Sequence, residues 1–191
     1  LYDFQDWAHT GLGTLKAVWF SGLSKDAAHY GVAIALGNGE VNLWDLVHAY
    51  SVFARLGTAV PFTFYRGAPH PPKRIIAEET AFLIADVLRD PEARREEFGR
   101  FGPLEFDYEV AVKTGTSNDY RDNWTVGFTR NITLGVWRGN ADSTPLEQRV
   151  SASRGTGPLF HRIMDLVHQY RPPEWIRRPD MVEVIRICPY S

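Results

Sequence analysis

The spacing of apolar residues predicts helices in the first half of the chain. From Asn42 onwards, apolar side chains recur every three or four residues as far as Ala54, which predicts a helix capped by Asn42. The same spacing predicts a second helix over 78–88. Asp90 followed by Pro91 is typical of the start of a helix, so a third, short helix is expected to follow directly.

A strand pattern replaces the helical spacing in the second half of the chain. Val110 and Val112 alternate with Glu109 and Ala111, which predicts a short strand that leads into a Lys-Thr-Gly-Thr sequence. Tight connections between the next apolar stretches indicate an antiparallel meander, and a helix follows it. These two further strands and the last helix are predicted at 123–128, 132–138 and 158–170.

The composition gives little indication of partners or compartment. The 21 Lys and Arg residues nearly balance the 23 Asp and Glu residues, so the net charge of −2 gives no indication of binding to nucleic acid or to an anionic membrane surface. No apolar run is long enough to span a bilayer, and no signal-peptide pattern is present. The single Cys188 cannot form an internal disulfide, so cysteine usage does not indicate a compartment.

A compact group of polar residues lies at the end of the first predicted strand. Lys113 supplies a fixed positive charge, Thr114 and Thr116 supply hydroxyls, and Gly115 stands between them. A glycine inside a strand often marks a place where a ligand or another backbone comes close. The group therefore suits a small anion such as a carboxylate, which the ammonium would attract and the hydroxyls would orient. The alternative is an ordinary strand-to-turn junction, because Lys-Thr-Gly is made of common residues.

The sequence that follows this strand favours a binding role. It continues with Arg-Asp-Asn-Trp at 121–124 and with Gly-Val-Trp-Arg-Gly-Asn at 135–140. Together with Lys-Thr-Gly-Thr, these stretches resemble the penicillin-binding transpeptidase domain of bifunctional (class A) peptidoglycan synthases. The resemblance extends over about 22–170, which is most of the chain.

The resemblance implies an α/β (α+β) fold. An antiparallel sheet flanked by helices is expected, in the penicillin-recognising arrangement that β-lactamases and transpeptidases share, incomplete at its N-terminal side. Residues 1–170 would form the C-terminal part of the transpeptidase domain. Residues 171–191 would form a linker and the start of an appended small β domain, because 181–188 alternate like a first strand.

The implied activity is D,D-transpeptidation, in which peptidoglycan stem peptides are cross-linked through a serine acyl-enzyme. The expected partners are stem peptides and β-lactams, with other proteins of cell-wall synthesis as candidates and without nucleic acid; no cofactor and no metal are expected. The longer protein, here called the parent protein, would also carry a glycosyltransferase domain and, in its N-terminal part, a membrane anchor. It would face the periplasm, or more generally the outer side of the bacterial inner membrane. Carboxypeptidases and β-lactamases share Lys-Thr-Gly, but the long matches at 121–124 and 135–140 argue against both.

The resemblance also implies a role for each residue of the strand end. Lys113 would position the substrate and adjust the proton network around the serine. Thr114 and Thr116 would hold the carboxylate of a stem peptide or a β-lactam, and the backbone N–H of Thr116 would be one of two oxyanion donors. Gly115 would leave room for the substrate strand. The candidate catalytic residues are therefore Lys113 and Thr116.

The nucleophile motif of the family is absent from these 191 residues. In Ser-x-x-Lys the serine and lysine share one helix face, but no serine of this chain stands three residues before a lysine, and no Ser-x-Asn is present. One interpretation is a fragment cut after both motifs, which the non-Met start and the abrupt end favour. The other is a relative that has lost them and serves as a non-catalytic binding or scaffolding module. Whether this chain is itself an enzyme stays open, whereas the parent protein is predicted to be a peptidoglycan transpeptidase and glycosyltransferase.

Two weaker patterns lie near the last predicted helix. His161, Asp165 and His168 share one face of it and could ligate zinc, but a solvated helix face is favoured because no fourth ligand is evident. The glycine-rich stretch 151–157 could cradle a phosphate. It lacks the ending of a P-loop and resembles instead the loop that precedes the last helix in the transpeptidase family.

Three residues after the Lys-Thr-Gly-Thr strand have two open interpretations. Arg121, Asp122 and Trp124 either support the loop between the strands or form ordinary surface salt bridges.

Overall fold

The computed structural model of the chain describes residues 27–31, 37, 39–64, 71–147 and 149–185. The helices are α1 (Ala27–Tyr30), α2 (Leu43–Ala54), α3 (Glu78–Arg89), α4 (Pro91–Phe98), α5 (Ala152–Gly155) and α6 (Gly157–Tyr170). The strands are β1 (Thr58–Ala59), β2 (Lys73–Arg74), β3 (Ala111–Thr116), β4 (Asp122–Phe128) and β5 (Thr133–Gly139). No helix in these ranges is both long and apolar enough to cross a membrane.

The predicted starts of two helices are confirmed by their caps. The side chain of Asn42 accepts a hydrogen bond from the backbone N–H of Asp45 at 2.8 Å, which satisfies one of the free donors in the first turn of α2. Asp90 caps α4 in the same way through the N–H of Glu92 at 2.9 Å, with Pro91 at the first helical position. Both caps act over two or three residues, which is why local sequence was enough to predict them.

The strands β3, β4 and β5 form the predicted antiparallel meander. The sheet order is β3-β4-β5, and β4 pairs with both neighbours. The register places Lys113 opposite Val126 and Thr116 opposite Asn123. A separate two-stranded pair joins β1 to β2. Because β4 occupies the centre, β3 lies at one edge of this sheet.

Helices cover both faces of the sheet, and each face has its own buried cluster. Ala111 of β3 faces the cluster beneath α2 and α3, whereas its neighbour Val112 faces the cluster beneath α6. The first cluster contains Ala54, Phe82, Ala85, Ala111, Phe128 and Ile176. The second contains Leu104, Val110, Val112, Val136, Phe160 and Met164. The chain therefore has a mixed α/β fold with an antiparallel sheet flanked by helices, as predicted.

The residues after α6 contain no helix or strand as far as 185. Part of this segment packs on the first cluster, because Ile176 is buried and the Trp175 ring stacks on Phe128 at 6.3 Å between centroids. Of the strand predicted at 181–188, residues 181–185 are irregular and the rest lie outside the described residues. The division of the chain at residue 170 stays a prediction.

Candidate functional site

The Lys-Thr-Gly-Thr sequence lies where β3 leaves the core. Ala111 and Val112 at the start of the strand are buried. Further along, Lys113 and Thr116 are exposed, and the two residues between them are half-buried. The strand thus anchors its first residues in both buried clusters and presents its last four residues at the protein surface.

The hydrogen-bond pattern of β3 turns selected backbone groups outward. The N–H of Ser117 donates to the carbonyl of Asp122 at 3.0 Å, so these two residues form a hydrogen-bonded pair of the antiparallel ladder. Such pairs alternate with non-bonded ones, and the next non-bonded positions along β3 are Thr116 and Thr114. Their N–H and C=O groups therefore point away from β4. Within the described ranges no strand pairs with that outer side, so an extended ligand could add to it.

The ammonium group of Lys113 lies at the same edge. Its Nζ donates to the outward-facing carbonyl of Thr114 at 2.7 Å in an exposed position. No carboxylate in the part of the chain that the structure describes forms an ion pair with it. Among the described residues, the site therefore has one positive charge without an ion-pair partner beside outward-facing backbone groups.

The hydroxyl of Thr116 is held by a segment from much later in the chain. Its Oγ1 accepts a hydrogen bond from the backbone N–H of Ala152, the first residue of α5, at 3.0 Å. Opposite Thr116 in the register lies Asn123, whose Nδ2 donates to the carbonyl of Val150 at 3.2 Å. The structure therefore brings residues 150–155 into the candidate site, together with the Lys-Thr-Gly-Thr strand.

Asp122 organises the turn that follows this strand. One carboxylate oxygen accepts from the hydroxyl of Ser117 at 3.0 Å and the other accepts from Trp137 Nε1 at 2.9 Å. At Gly139 a methyl group would lie 2.4 Å from the Trp137 ring, so this glycine permits the ring to lie against the backbone. The Arg-Asp-Asn-Trp and Gly-Val-Trp-Arg-Gly-Asn stretches thus meet through Asp122 and Trp137. This geometry supports the interpretation that Asp122 holds the loop.

The contacts of Arg121 fit the surface interpretation instead. Its guanidinium lies 3.6 Å from the carboxylate of Asp119, and both side chains are largely exposed. Exposed pairs of this kind contribute about 0–1 kcal/mol to stability. The guanidinium also donates to the carbonyl of Ser143 at 3.3 Å. Trp124 packs against Trp137 with 6.1 Å between ring centroids, so its observed contact is a packing contact between β4 and β5.

The turn between β3 and β4 has an unusual backbone. Asp119 and Tyr120 both have positive φ values, 59° and 56°, although neither is glycine. Such residues store roughly 1–3 kcal/mol each and persist only where neighbours hold them. Here the carbonyl of Tyr120 accepts from the N–H of Leu146 and its N–H donates to Ser117. The strained turn therefore lies directly beyond the exposed end of β3, where strain is typical of functional sites.

The prediction that His161, Asp165 and His168 form a solvated face of the last helix is wrong for His168, whereas the side chains of His161 and Asp165 are partly exposed. His168 is buried, and its ring contacts the hydroxyl of Thr129 and the carbonyl of Arg171. His161 stacks on Phe106, with 4.2 Å between ring centroids. The loop before β3 covers this face of α6, a packing arrangement that helical spacing alone does not reveal. No group of three metal-ligating side chains occurs among the described residues.

A tyrosine from the same loop completes the contact with α6. The hydroxyl of Tyr108 donates to the carboxylate of Asp165 at 3.0 Å. Burial, assisted by this hydrogen bond and by the negative charge, raises the pKa of Tyr108 well above its ordinary value. Asp165 and His161 of α6 thus attach the loop, the latter through the carbonyl of Pro103.

Sequence reasoning missed several residues that support the candidate site. Ser117, Asn123 and Ala152 were not selected, since an isolated serine, asparagine or alanine has no distinctive pattern. The available signal was the glycine-rich stretch 151–157, which was expected to be a loop. Instead it forms the single turn of α5 and leads into α6. The roles predicted for Lys113, Thr114, Gly115 and Thr116 stay predictions.

Comparison with known proteins agrees with this arrangement. Residues 9–165 match the family described as "Penicillin binding protein transpeptidase domain". Penicillin-binding protein 1A of Aquifex aeolicus is 34% identical over 166 residues, which cover 82% of this chain and 23% of that protein. Penicillin-binding protein 1C of Escherichia coli is 30% identical over 138 residues, which cover 71% and 17%. The chain thus spans less than a quarter of the length of either curated relative.

A solved structure matches the fold. The crystal structure of penicillin-binding protein 1A from Haemophilus influenzae superposes with a TM-score of 0.64 and covers 92% of this chain and 33% of that one. Their sequences are 17% identical over the match, so this likeness concerns the fold alone. Since the family match covers most of the residues, the chain belongs to the penicillin-binding protein transpeptidase domain family.

Proposed function

We propose that this chain is part of a peptidoglycan D,D-transpeptidase and holds the carboxylate end of the substrate at the outer edge of β3. One observation carries the proposal: the outward backbone groups of Thr114 and Thr116 lie at the same edge as the Lys113 ammonium, which has no ion pair among the described residues. An extended stem peptide would pair with the backbone groups as an added strand. Its carboxylate would be attracted by Lys113 and oriented by the threonine hydroxyls.

The proposed chemistry is acyl transfer through a serine that belongs to a Ser-x-x-Lys motif outside this sequence. The serine oxygen attacks the carbonyl carbon of the terminal peptide bond, the carbon–nitrogen bond breaks, and the departing amine takes up a proton. The amine of a second stem peptide then attacks the ester, which forms the cross-link and returns the serine. During both attacks the outward N–H of Thr116 would stabilise the negative carbonyl oxygen. A β-lactam would react in the first step, in which the serine oxygen attacks the carbonyl carbon of its ring amide, and the acyl-enzyme would not react further.

The parent protein would supply the remaining functions. The relatives named penicillin-binding protein 1A and 1C support penicillin binding by this family. We extend the proposal to a glycosyltransferase domain and a membrane anchor in the N-terminal part of the parent protein, at the outer side of the bacterial inner membrane. Other proteins of cell-wall synthesis would assemble with it there. Residues 171–191 would lead to the small β domain.

A second candidate function rests on the absence of a Ser-x-x-Lys motif from these 191 residues. On that reading the chain is a non-catalytic module that binds peptide or organises other proteins. The coding sequence upstream of Leu1 distinguishes the two, because the enzyme requires the motif there. Labelling of the protein translated from it with a fluorescent penicillin gives the biochemical answer, since a module without the serine forms no stable adduct.

The residue-level test replaces Lys113 in the parent protein. Lys113→Ala should slow acylation by a β-lactam by on the order of 10²–10³, by analogy with the loss of one preorganised donor. Lys113→Arg should restore only part of the rate, because a planar guanidinium does not replace a compact ammonium. The measurement is the second-order rate of acylation, with a melting curve to show that each variant folds.

Lys73→Ala is the matched control. Lys73 is also an exposed strand lysine, but it belongs to the separate β1–β2 pair, so its removal should leave the acylation rate unchanged. If Lys113→Ala folds and acylates at the unaltered rate, the strand end has only a structural role and the proposed site is wrong.

A further inference from the structure

A hydrogen bond within the protein determines the direction in which the hydroxyl of Thr116 can donate. A threonine hydroxyl has one proton to donate and two lone pairs that accept. In Thr116 one lone pair already accepts from the N–H of Ala152 at 3.0 Å. The side chain is exposed, so the hydroxyl proton remains available to a ligand. The bond from Ala152 restrains the rotation of the hydroxyl and favours donation away from α5.

Asn123 holds the segment that supplies this bond. Its side chain is fully buried, and Nδ2 donates to the carbonyls of Val150 and Asp122, each at 3.2 Å. Val150 lies two residues before Ala152, so the hydrogen bond from Asn123 fastens the chain just ahead of the donor. At Gly155 the backbone comes so close that an added methyl group would lie 2.0 Å from Asn123 Oδ1. Residues 150–155 therefore rest directly on the Asn123 side chain.

A second attachment lies further along the same segment. The hydroxyls of Thr125 and Thr156 are 2.8 Å apart, and Thr156 also donates to the carbonyl of Ala152. Both threonines are buried. This pair secures the far end of α5 independently of Asn123. The loss of Asn123 should therefore loosen the start of the segment while α5 and α6 stay attached.

The buried side chain of Asn123 carries an energetic cost. Its Oδ1 is buried and has no hydrogen-bond partner among the residues that the structure describes. A buried polar atom without a partner is unfavourable, and an apolar residue of similar size would avoid it. Asparagine provides two hydrogen bonds that an apolar residue would not, one to the carbonyl of Asp122 and one that fastens the 150–155 segment beside Thr116.

We propose that Asn123 is a positioning residue for carboxylate recognition, acting through the Ala152 N–H on the hydroxyl of Thr116. The inference rests on the proposed function of the β3 edge and extends it to a residue that need not touch the ligand. Asn123 sets where residues 150–155 lie, the Ala152 N–H sets the orientation of the Thr116 hydroxyl, and that hydroxyl donates to the substrate carboxylate.

The test uses the parent protein and two ligands that differ only at the carboxylate, benzylpenicillin and its methyl ester. The quantity measured is the ratio of their acylation rates, because a general loss of stability or of nucleophilicity changes both rates alike. Thr116→Val removes the hydroxyl and should lower the ratio by about tenfold, as expected for one hydrogen bond to a charged group. Asn123→Ala and Ala152→Pro should each lower it several-fold.

Each of these variants removes a different hydrogen bond of the series that runs from Asn123 to the Thr116 hydroxyl. Proline fits the first position of α5, and Ser151 before it already has the extended backbone that a following proline requires. Ala152→Pro therefore removes the donor, and its ring Cδ, which replaces the amide hydrogen that pointed at Thr116 Oγ1, also displaces the hydroxyl, while Asn123 stays in place. Combining either variant with Thr116→Val should lower the ratio no further, because both act through the same hydroxyl.

Asn140→Ala is the matched control. Asn140 also fastens a loop through its Nδ2, which donates to Thr144 and Pro145, and none of these hydrogen bonds involves Thr116 or residues 150–155. It should leave the ratio unchanged. A fall in the ratio equal to that of Asn123→Ala would mean that any loosened loop has this effect, and would overturn the inference.

The remaining outcomes are also decisive. If Thr116→Val lowers the ratio while Asn123→Ala and Ala152→Pro leave it unchanged, the inference is wrong and the proposed function stands. If Asn123→Ala or Ala152→Pro lowers the ratio by the same factor in the Thr116→Val protein as in the unaltered one, the inference is also wrong. If the unaltered parent protein forms no adduct, the proposed function fails and this inference with it. If Asn123→Ala and Ala152→Pro both fail to fold, hydrogen exchange of the Ala152 amide in Thr116→Val decides. An exchange rate equal to that of the unaltered protein would show that the Ala152 N–H does not bond the Thr116 hydroxyl, and would overturn the inference.

Discussion

The contact between Gly155 and Asn123 allows a quantitative prediction about stability. A methyl group at Gly155 would lie 2.0 Å from Oδ1 and 3.0 Å from Cγ of Asn123. That side chain is fully buried and bonded to two carbonyls, so it cannot turn away without losing those bonds. Overpacking of this kind destabilises by about 1–3 kcal/mol. Gly155→Ala should therefore destabilise the protein, even though alanine is the better helix former.

The change in the free energy of unfolding of Gly155→Ala is the sum of stabilising and destabilising contributions. Loss of the bond from Asn123 to the half-buried carbonyl of Val150 adds about 1 kcal/mol to the packing penalty. Gly155 is the last residue of the single turn α5, so its replacement by alanine contributes at most about 1 kcal/mol of stabilisation. The free energy of unfolding should thus fall by about 1–3 kcal/mol in Gly155→Ala.

The effect should disappear when Asn123 is shortened. In an Asn123→Ala background Oδ1 and Cγ are gone, and the nearest remaining atom of residue 123 is its Cβ, at an ordinary contact distance of 3.6 Å. Gly155→Ala should then be neutral or stabilising by up to about 1 kcal/mol, because only the helix preference remains. The two substitutions should therefore show a coupling free energy of about 1–4 kcal/mol.

The assay is urea unfolding followed by tryptophan fluorescence on the unaltered chain, the two single variants and the double variant. Gly115→Ala provides the control, since its methyl group would meet Trp124 Cβ at an ordinary 3.7 Å and should not destabilise. A Gly155→Ala protein within about 0.5 kcal/mol of the unaltered chain would refute the reasoning. So would an equal loss of stability in both backgrounds.

Three further predictions concern the chain as a whole. Since the folded state keeps Tyr108 neutral, stability should fall as the pH rises above about 10, and Tyr108→Phe should make a pH series of melting temperatures less steep; equal slopes would contradict this. The isolated chain should form no covalent adduct with a fluorescent penicillin, because the acylating serine is absent; a stoichiometric label on a denaturing gel would overturn that expectation. Leu83, Val87 and Leu166 are half or more exposed on α3 and α6, so the isolated chain should associate as its concentration rises, and a concentration-independent monomer in sedimentation would show otherwise.

Much of the fold follows from short-range patterns. The caps of α2 and α4 depend on residues two or three positions apart, and the meander depends on alternation within single strands. Lys-Thr-Gly-Thr was selected for its charge and hydroxyls, and the structure places it at a sheet edge with outward backbone groups. The histidine face on α6 was misjudged because the loop that covers it comes from far earlier in the chain. Tyr108 and Asp165, which join the two, are 57 positions apart.

By itself, the sequence determined the class of fold and the positions of the main helices and strands, and it predicted a strand end suited to a carboxylate. Only the tertiary structure decided which groups support that strand end. Thr116 and Ala152 are 36 positions apart, and Asn123 and Val150 are 27 apart. The physical reason is that periodicity and caps express interactions between near neighbours, whereas these hydrogen bonds involve backbone groups that every residue possesses. Which N–H reaches the Thr116 hydroxyl is therefore settled by the packing of α5 on the sheet, with Gly155 permitting the close approach.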